Sequence, residues 1–254
     1  MTVAASPTGV IVRLETVEST QSVAFALAER GAADRTVVVA DQQSAGRGRR
    51  GRTWQAPAGS SVLASILVRP RLPQSLLPAL SLATAVATAE ALRRVAAVEA
   101  RVKWPNDVLV EGKKIAGILL ESRLGAQPLL AVGIGVNLGQ REFPPELAAS
   151  ATSVALETGR APGRETMLAA LLEEFDAWRA RLEGEGFGPV RERWRALSDT
   201  IGRRVTVDAV SGIAVDLDVD GALLIDVGGA ITRVIAGTVT SGEDAAAAPG
   251  RGRL

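Results

Sequence analysis

The chain has 254 residues, 47% of them hydrophobic and 22% charged, with a formal net charge of +1 at pH 7. That balance describes a globular chain able to bury a sizeable core, with room for one large domain and a small one. Cysteine, histidine and tyrosine are all absent, which excludes disulfides, thiolate or imidazole metal sites, cysteine nucleophiles and any Ser-His-Asp relay. Chemistry must therefore rest on Lys, Arg, Asp, Glu, Ser, Thr and the backbone.

Val10 to Leu14 reads as a strand, and Ser19-Thr20-Gln21 opens a helix that carries Val23, Phe25 and Leu27 and ends near Gly31, with either hydroxyl suited to cap it. Thr36 to Ala40 is a short buried strand that leads into Ser44-Ala45-Gly46-Arg47-Gly48-Arg49-Arg50-Gly51-Arg52-Thr53-Trp54. There glycines remove side-chain bulk and arginines offer planar forks for phosphate or carboxylate oxygens, in a loop with no ladder of its own and backbone N–H groups free for the same anion. A solvated basic loop or a nucleic-acid tether is the plain alternative. Near-neutral overall charge favours a small anionic ligand over a nucleic-acid coat.

Ser61 to Val68 is a strand stopped by Pro70 and Pro73, and Leu76 to Val95 an alanine-rich helix. Arg101 to Trp104, Val108 to Val110 and Ile115 to Glu121 follow as antiparallel hairpins, turned at Pro105-Asn106-Asp107 and at Glu111-Gly112-Lys113-Lys114. Leu129 to Val136 adds a strand. Gly139 to Ser150, with Pro144-Pro145 and no period, reads as a mobile loop beside the site. Leu168, Leu171, Leu172, Phe175, Trp178 and Leu182 mark one amphipathic helix, and Val190 to Leu197 a shorter one.

From Arg203 on, short strands at Val205 to Val207, Ala214 to Leu217, Ala222 to Val227 and Thr232 to Ile235 suggest a small barrel, and 241–254 a disordered tail. The uninterrupted apolar runs, such as Ile115 to Leu120 broken by Gly117, fall short of the roughly 20 residues of a membrane helix. No basic-then-apolar leader opens the chain, so a cytoplasmic protein is expected.

Two further constellations carry chemistry. Lys103-Trp104-Pro105-Asn106-Asp107 puts a cation, an amide and a carboxylate at a rigid turn, suited to phosphate or Mg²⁺ and equally to an ordinary turn. Gly133-Ile134-Gly135-Val136-Asn137 lacks the third glycine and the helix of a dinucleotide fingerprint, so its glycines are read as letting a flat ligand lie against a buried strand.

In this order, Ser-Thr-polar, Gln-x-Ala-Gly-Arg-Gly-Arg-Arg-Gly-Arg, Lys-Trp-Pro-Asn-Asp with Lys-Ile-Ala-Gly-Ile-Leu, and Gly-x-Gly-x-Asn, the motifs resemble those of biotin protein ligases over about residues 10 to 240. The resemblance implies an α+β fold: a mixed, largely antiparallel sheet packed with helices, class II synthetase-like, over 1–198, an SH3-like β-barrel over 199–240 and the tail at 241–254. It implies an enzyme that makes biotinyl-5′-AMP from biotin and ATP with Mg²⁺, then biotinylates a lysine of a biotin carboxyl carrier domain.

By the same resemblance, Lys114 and Arg47 are the catalytic candidates. Ser19, Thr20, Gln21, Gln43, Arg47, Gly48, Arg49, Lys114, Gly117, Gly133 and Gly135 would meet biotin. Arg47, Arg49, Arg52, Trp54, Lys103, Asn106, Asp107 and Asn137 would meet ATP or the adenylate, with Asp107 the candidate Mg²⁺ ligand. Gln21 stands where Asn is more frequent, and Ser44 where Gln is. No helix-turn-helix precedes the catalytic segment, so neither DNA nor membrane is expected as a partner, and a homodimer stays open. The rival readings are a lipoate ligase on a related fold and a nucleic-acid-binding module built on the Gly-Arg loop.

Overall fold

Three strands rich in Val, Leu and Ile set the frame, since such residues fit a pleated surface buried on both sides. They are β3 (Val37–Gln43), β4 (Ser61–Val68) and β8 (Leu129–Asn137). The computed structural model describes residues 2–6, 9–125 and 128–241, so the tail expected at 242–254 lies outside the described residues. Around the three strands stand β1 (Thr2–Ser6), β2 (Gly9–Val17), β5 (Arg101–Lys103), β6 (Asp107–Val110) and β7 (Lys113–Arg123), giving an eight-stranded sheet in the order β1-β2-β3-β4-β8-β7-β6-β5.

Only the β2–β3 pair is parallel, joined by the crossover helix α1 (Thr20–Glu29); every other neighbour is antiparallel. The hairpins expected from 101 to 121 are β5, β6 and β7. Strand β1 was not anticipated from the sequence.

Helix α1 covers one face of the sheet with Ala24 and Phe25 against Val38 and Ala131. The opposite face is covered by α2 (Ala79–Ala96), α5 (Arg164–Glu185) and α6 (Gly188–Leu197), whose Phe175, Trp194, Leu92 and Met167 are fully buried with Ile66, Ile118 and Ile134. Each such side chain contributes roughly 1.5–3 kcal/mol on burial, so this face holds most of the core. Inside α2 the buried hydroxyls of Thr84 and Thr88 donate to the carbonyls of Leu80 and Thr84 one turn back, 2.7 and 2.8 Å away, which lets polar residues sit in an apolar layer.

Contrary to the expectation from apolar runs, Gln74–Ala96 is long and apolar enough to cross a membrane by length and composition. Its most apolar window is 72% buried within the fold, so the apolarity serves the core. The segment expected as a loop at 139–150 also contains structure: α3 (Pro145–Ala148) is followed by α4 (Val154–Thr158), capped by the Ser153 hydroxyl accepting from the Leu156 N–H.

After α6 the chain enters a second sheet of β9 (Arg204–Val207), β10 (Val210–Leu217), β11 (Leu223–Val227), β12 (Ala230–Val234) and β13 (Val239–Ser241), in the order β12-β11-β10-β9-β13. Strand β13 was missed because three residues carry no readable alternation. No ladder between β12 and β13 is found among the described residues, so the ladders describe an open five-stranded sheet. Trp104 ties this sheet to the main body: its indole N–H donates to the Gly221 carbonyl at 3.1 Å and its backbone N–H to the Thr200 hydroxyl at 3.0 Å.

Candidate active site

Alternation along β8 turns Leu130, Val132, Ile134 and Val136 toward α2 and α5, which leaves Ala131, Gly133 and Gly135 on the α1 side. Register sets Gly135 opposite Gly117 of β7, and Gly133 opposite Ser65 of β4. The result is a floor in which three glycines open space between Leu63, Ser65 and Leu119. A Cβ on Gly135 would lie 2.5 Å from Cε2 of Trp54, one on Gly117 2.9 Å from the same indole, and one on Gly133 3.0 Å from Cδ of Gln21. Glycine is required for such close approach. The flat group that lies on these strands is thus the protein's own Trp54, whose Nε1 is buried without a partner.

Lys114 reaches this floor through an irregularity. A β-bulge between Val108 and Leu109 in the β6–β7 ladder shifts the pairing, so Ile115 and Ala116 both enter the core and Lys114 moves to the glycine face. Its Cε comes within 3.0 Å of the Cβ position of Gly117, and its Nζ lies 5.6 Å from the Trp54 ring centroid and 2.5 Å from Oδ1 of Asp107. The segment after α3 fixes its backbone: Lys114 N–H donates to the Ser150 carbonyl at 2.8 Å, and Thr152 N–H to the Lys114 carbonyl at 2.9 Å.

The arginine segment is not without a ladder, as its composition implied. It folds as a short hairpin, with Arg47 bridged to Thr53, Trp54 N–H donating to the Gly46 carbonyl at 2.9 Å and Gly48 N–H to the Arg52 carbonyl at 2.7 Å. A 3₁₀ turn at Arg49–Gly51 closes it. Gly46 has no alternative, since a Cβ there would sit 2.3 Å from the Trp54 carbonyl oxygen. Arg47 pairs with Glu121 at 2.9 Å, and Arg52 is exposed. Arg49 turns back to the Asn106 side-chain oxygen at 3.4 Å; burial, then the charge of Arg50, pushes its pKa below the ordinary guanidinium value while Asp107 opposes them. An anion beside Arg49 relieves that penalty.

At the start of α1, Ser19 occupies the N-cap position but makes no side-chain cap. Thr20 is the fastener: its N–H and hydroxyl reach Oε1 of Gln43 at 2.8 and 3.1 Å, and its hydroxyl meets that of Ser65 at 2.7 Å. Gln21 donates from Nε2 to the carbonyls of Leu119 and Ala131 at 3.0 and 3.1 Å, so its longer side chain lies over Gly133 and joins β7 and β8 on the glycine face. Ser19, Thr20 and Gln21 are all buried.

Asn106 donates to the Ile118 carbonyl at 2.6 Å, which aims its oxygen at Arg49. Lys103 lies on β5, two residues before the turn. Asn137 is engaged on both ends: Nδ2 donates to the Thr152 carbonyl and Oδ1 accepts from Gln140, each at 3.0 Å. These two contacts brace the end of β8. Ser65, Glu121 and Gln140 were missed by sequence reasoning. Register and long-range pairing bring Ser65 and Glu121 to the site without a local signal, while Gln140 reaches Asn137 from three residues on.

A cavity of ≈ 400 Å³ opens where Arg49 and Asn106 meet Leu77, Leu82, Leu130 and Ala222, so these two residues are shared between it and the arginine hairpin site.

A floor of glycines, a hairpin of arginines and a bulge-borne lysine converge on one face. The Biotin/lipoate A/B protein ligase family profile matches residues 14–138. A biotin--[acetyl-CoA-carboxylase] ligase of Paracoccus denitrificans is 40% identical over 82% of this chain and 90% of its own. The chain belongs to the biotin protein ligase family. A Mycobacterium tuberculosis ligase of the same name is also 40% identical, over 87% of this ligase and 85% of the relative. Biotin protein ligase from Aquifex aeolicus, solved with biotin and ATP, superposes on this ligase with a TM-score of 0.81 at 29% identity, covering 91% and 97% of the two chains.

Proposed function

We propose that this enzyme activates biotin as biotinyl-5′-AMP and passes the biotinyl group to a lysine of a carboxyl carrier domain, with Arg47 and Lys114 as its principal charged groups. The observation that carries the reading is the convergence of Lys114, Trp54 and the arginine hairpin over Gly117 and Gly135. A lipoate ligase is disfavoured by the 40% relatives, which are named for biotin.

In the first half-reaction a carboxylate oxygen of biotin attacks the α-phosphorus of ATP, and the bond to the bridging oxygen breaks as pyrophosphate leaves. No enzyme nucleophile is needed; fixed cations facing the developing charge lower the barrier. Lys114 exchanges Asp107 for the acyl phosphate, and Arg47 exchanges Glu121. Arg49 and Arg52 border the phosphates with Asn106, while Trp54 swings from the glycine floor to cover the adenosine. Ser19, Thr20 and Gln43 meet the ureido head of biotin at the start of α1. In the second half-reaction the carrier amine attacks the acyl carbon, the C–N bond forms, the C–O bond to AMP breaks and the amine proton leaves to solvent.

Mg²⁺ carried in with the nucleotide would supply charge neutralisation for the departing pyrophosphate. No cluster of three acidic side chains that would hold a metal unaided is found among the described residues. One carboxylate completed by phosphate oxygens and water is an ordinary Mg²⁺ set, and Asp107 fits that role once Lys114 turns to the ligand. The small sheet curls as an SH3-like barrel in this reading.

Incubation with biotin and Mg²⁺-ATP, followed by mass spectrometry, tests the reading. The expected product is biotinyl-adenylate, then a carrier domain heavier by one biotinyl group. Folded enzyme that consumes no ATP, or that charges lipoate in preference to biotin, overturns it.

A further inference from the structure

The tip of the arginine hairpin does not end in solvent. Arg50 donates from both terminal nitrogens to both carboxylate oxygens of Asp208, each at 2.8 Å. Asp208 lies in the two-residue turn between β9 and β10, closed by Val207 opposite Val210, so the second sheet grips the loop of the first. Parallel, two-pronged pairing of this kind fixes orientation as well as proximity.

Three independent features build the clasp. Arg50 has φ 56° and ψ 38°, a left-handed conformation that persists in a bulky side chain only when its surroundings hold it. Asp208 is also left-handed, at φ 52°, which points its carboxylate out of the turn. Gly237, in the link before β13, packs so tightly against β9 that a Cβ would lie 2.1 Å from Val207. Arg50 first, with the nearby backbone of Thr238 a lesser cause, holds the Asp208 carboxyl below the usual carboxylate range. The turn is therefore braced from behind while it holds Arg50 in front.

We propose that Asp208 is a positioning residue for the ligation reaction: by clasping Arg50 it holds the arginine hairpin closed, so the small C-terminal sheet takes part in binding ATP and retaining the adenylate. Arg50 is the hinge of the argument, because it neighbours Arg49, and Arg49 and Arg47 both follow wherever the 3₁₀ turn is held. Asp208 touches no substrate in this scheme. Its effect is on how often the hairpin is in place, which changes apparent affinity by the closed fraction and leaves the chemical step of the closed enzyme alone. The inference rests on the adenylate reading above.

The test compares the unaltered enzyme with Asp208→Asn, Asp208→Ala and the exchanged pair Arg50→Asp with Asp208→Arg. The unaltered enzyme is first shown to form biotinyl-adenylate; failure at that step sinks the functional reading and not the clasp. Expected for both single variants are a KM for ATP raised about three- to tenfold, an equally shortened half-life of the enzyme-held adenylate after gel filtration, and kcat within about twofold. Trypsin should cut at Arg49 or Arg50 faster by a similar factor. The exchanged pair should recover at least half of the lost retention. Unchanged ATP KM and retention in Asp208→Asn overturn the proposal. So does a uniform fall in kcat with a lowered melting temperature in both single variants, which would mark Asp208 as a fold residue only.

Discussion

The two faces of β4, β7 and β8 are made by the same strands and do opposite work. On the α2 side, Val62, Ile66, Ile118, Val132 and Ile134 pack against helices with almost no exposure. On the α1 side the same strands present Ser65, Gly117, Gly133 and Gly135 beside Leu63 and Leu119, with Lys114 delivered by the bulge and Trp54 and Gln21 brought in from elsewhere. Period-two alternation thus separates stability from chemistry residue by residue, and neighbours such as Ile134 and Gly135 should fail in different ways when changed.

The sharpest break comes at Lys114. Lys114→Ala should cut the rate of pyrophosphate release by about 10²–10³ fold, the usual loss when one preorganised charge is taken from a transition state. Its melting temperature should stay close to that of the unaltered enzyme, because the side chain is part-exposed and lies outside the core. A rate within threefold of normal would mean that the bulge delivers Lys114 to no chemical end. On the other face, Ile134→Ala should cost about 2–5 kcal/mol in urea unfolding through loss of packing and the cavity left behind. While folded, that variant should keep its KM for biotin. Gly135→Ala, one residue along, should reverse the pattern: the new methyl displaces Trp54, ATP KM rises about tenfold, and stability changes by less than about 2 kcal/mol. If the two neighbours gave the same profile, the division between faces would be wrong.

Most of the sheet and helices could be read before any coordinates, because Ser61–Val68 is an apolar run of strand length, Leu168, Leu171, Leu172, Phe175, Trp178 and Leu182 recur at helical spacing, and Pro70, Pro73 and Gly31 punctuate the chain. The motif residues were legible too, through the order in which they occur. What the sequence hid was pairing at a distance. A bulge is one residue of register and leaves no compositional trace, so the turning of Lys114 onto the glycine face was invisible. The same holds for Glu121, Ser65 and Asp208, which look like ordinary polar residues until strands 40 to 160 positions apart are brought together. Nor does the sequence show that Gly133 makes room for Gln21, a side chain whose length is taken up within the protein.

The smallest effects test the face that does the chemistry against itself. Arg47 and Glu121 are paired at 2.9 Å, both part-exposed, so the bond is weak and easily exchanged. Arg47→Ala should release the adenylate about tenfold faster, since the cation that replaces its Glu121 contact with the acyl phosphate is gone. Glu121→Gln should act in the other direction and more gently. With no carboxylate to compete for Arg47, the guanidinium is free to meet the ligand, and retention should lengthen by about two- to threefold with the melting temperature unchanged. The pair of measurements decides between two roles for Glu121. If Glu121→Gln shortens retention as Arg47→Ala does, the carboxylate is an orienting partner that stays bound to Arg47 in the loaded enzyme; if it lengthens retention, Glu121 is the stand-in anion that the true ligand displaces.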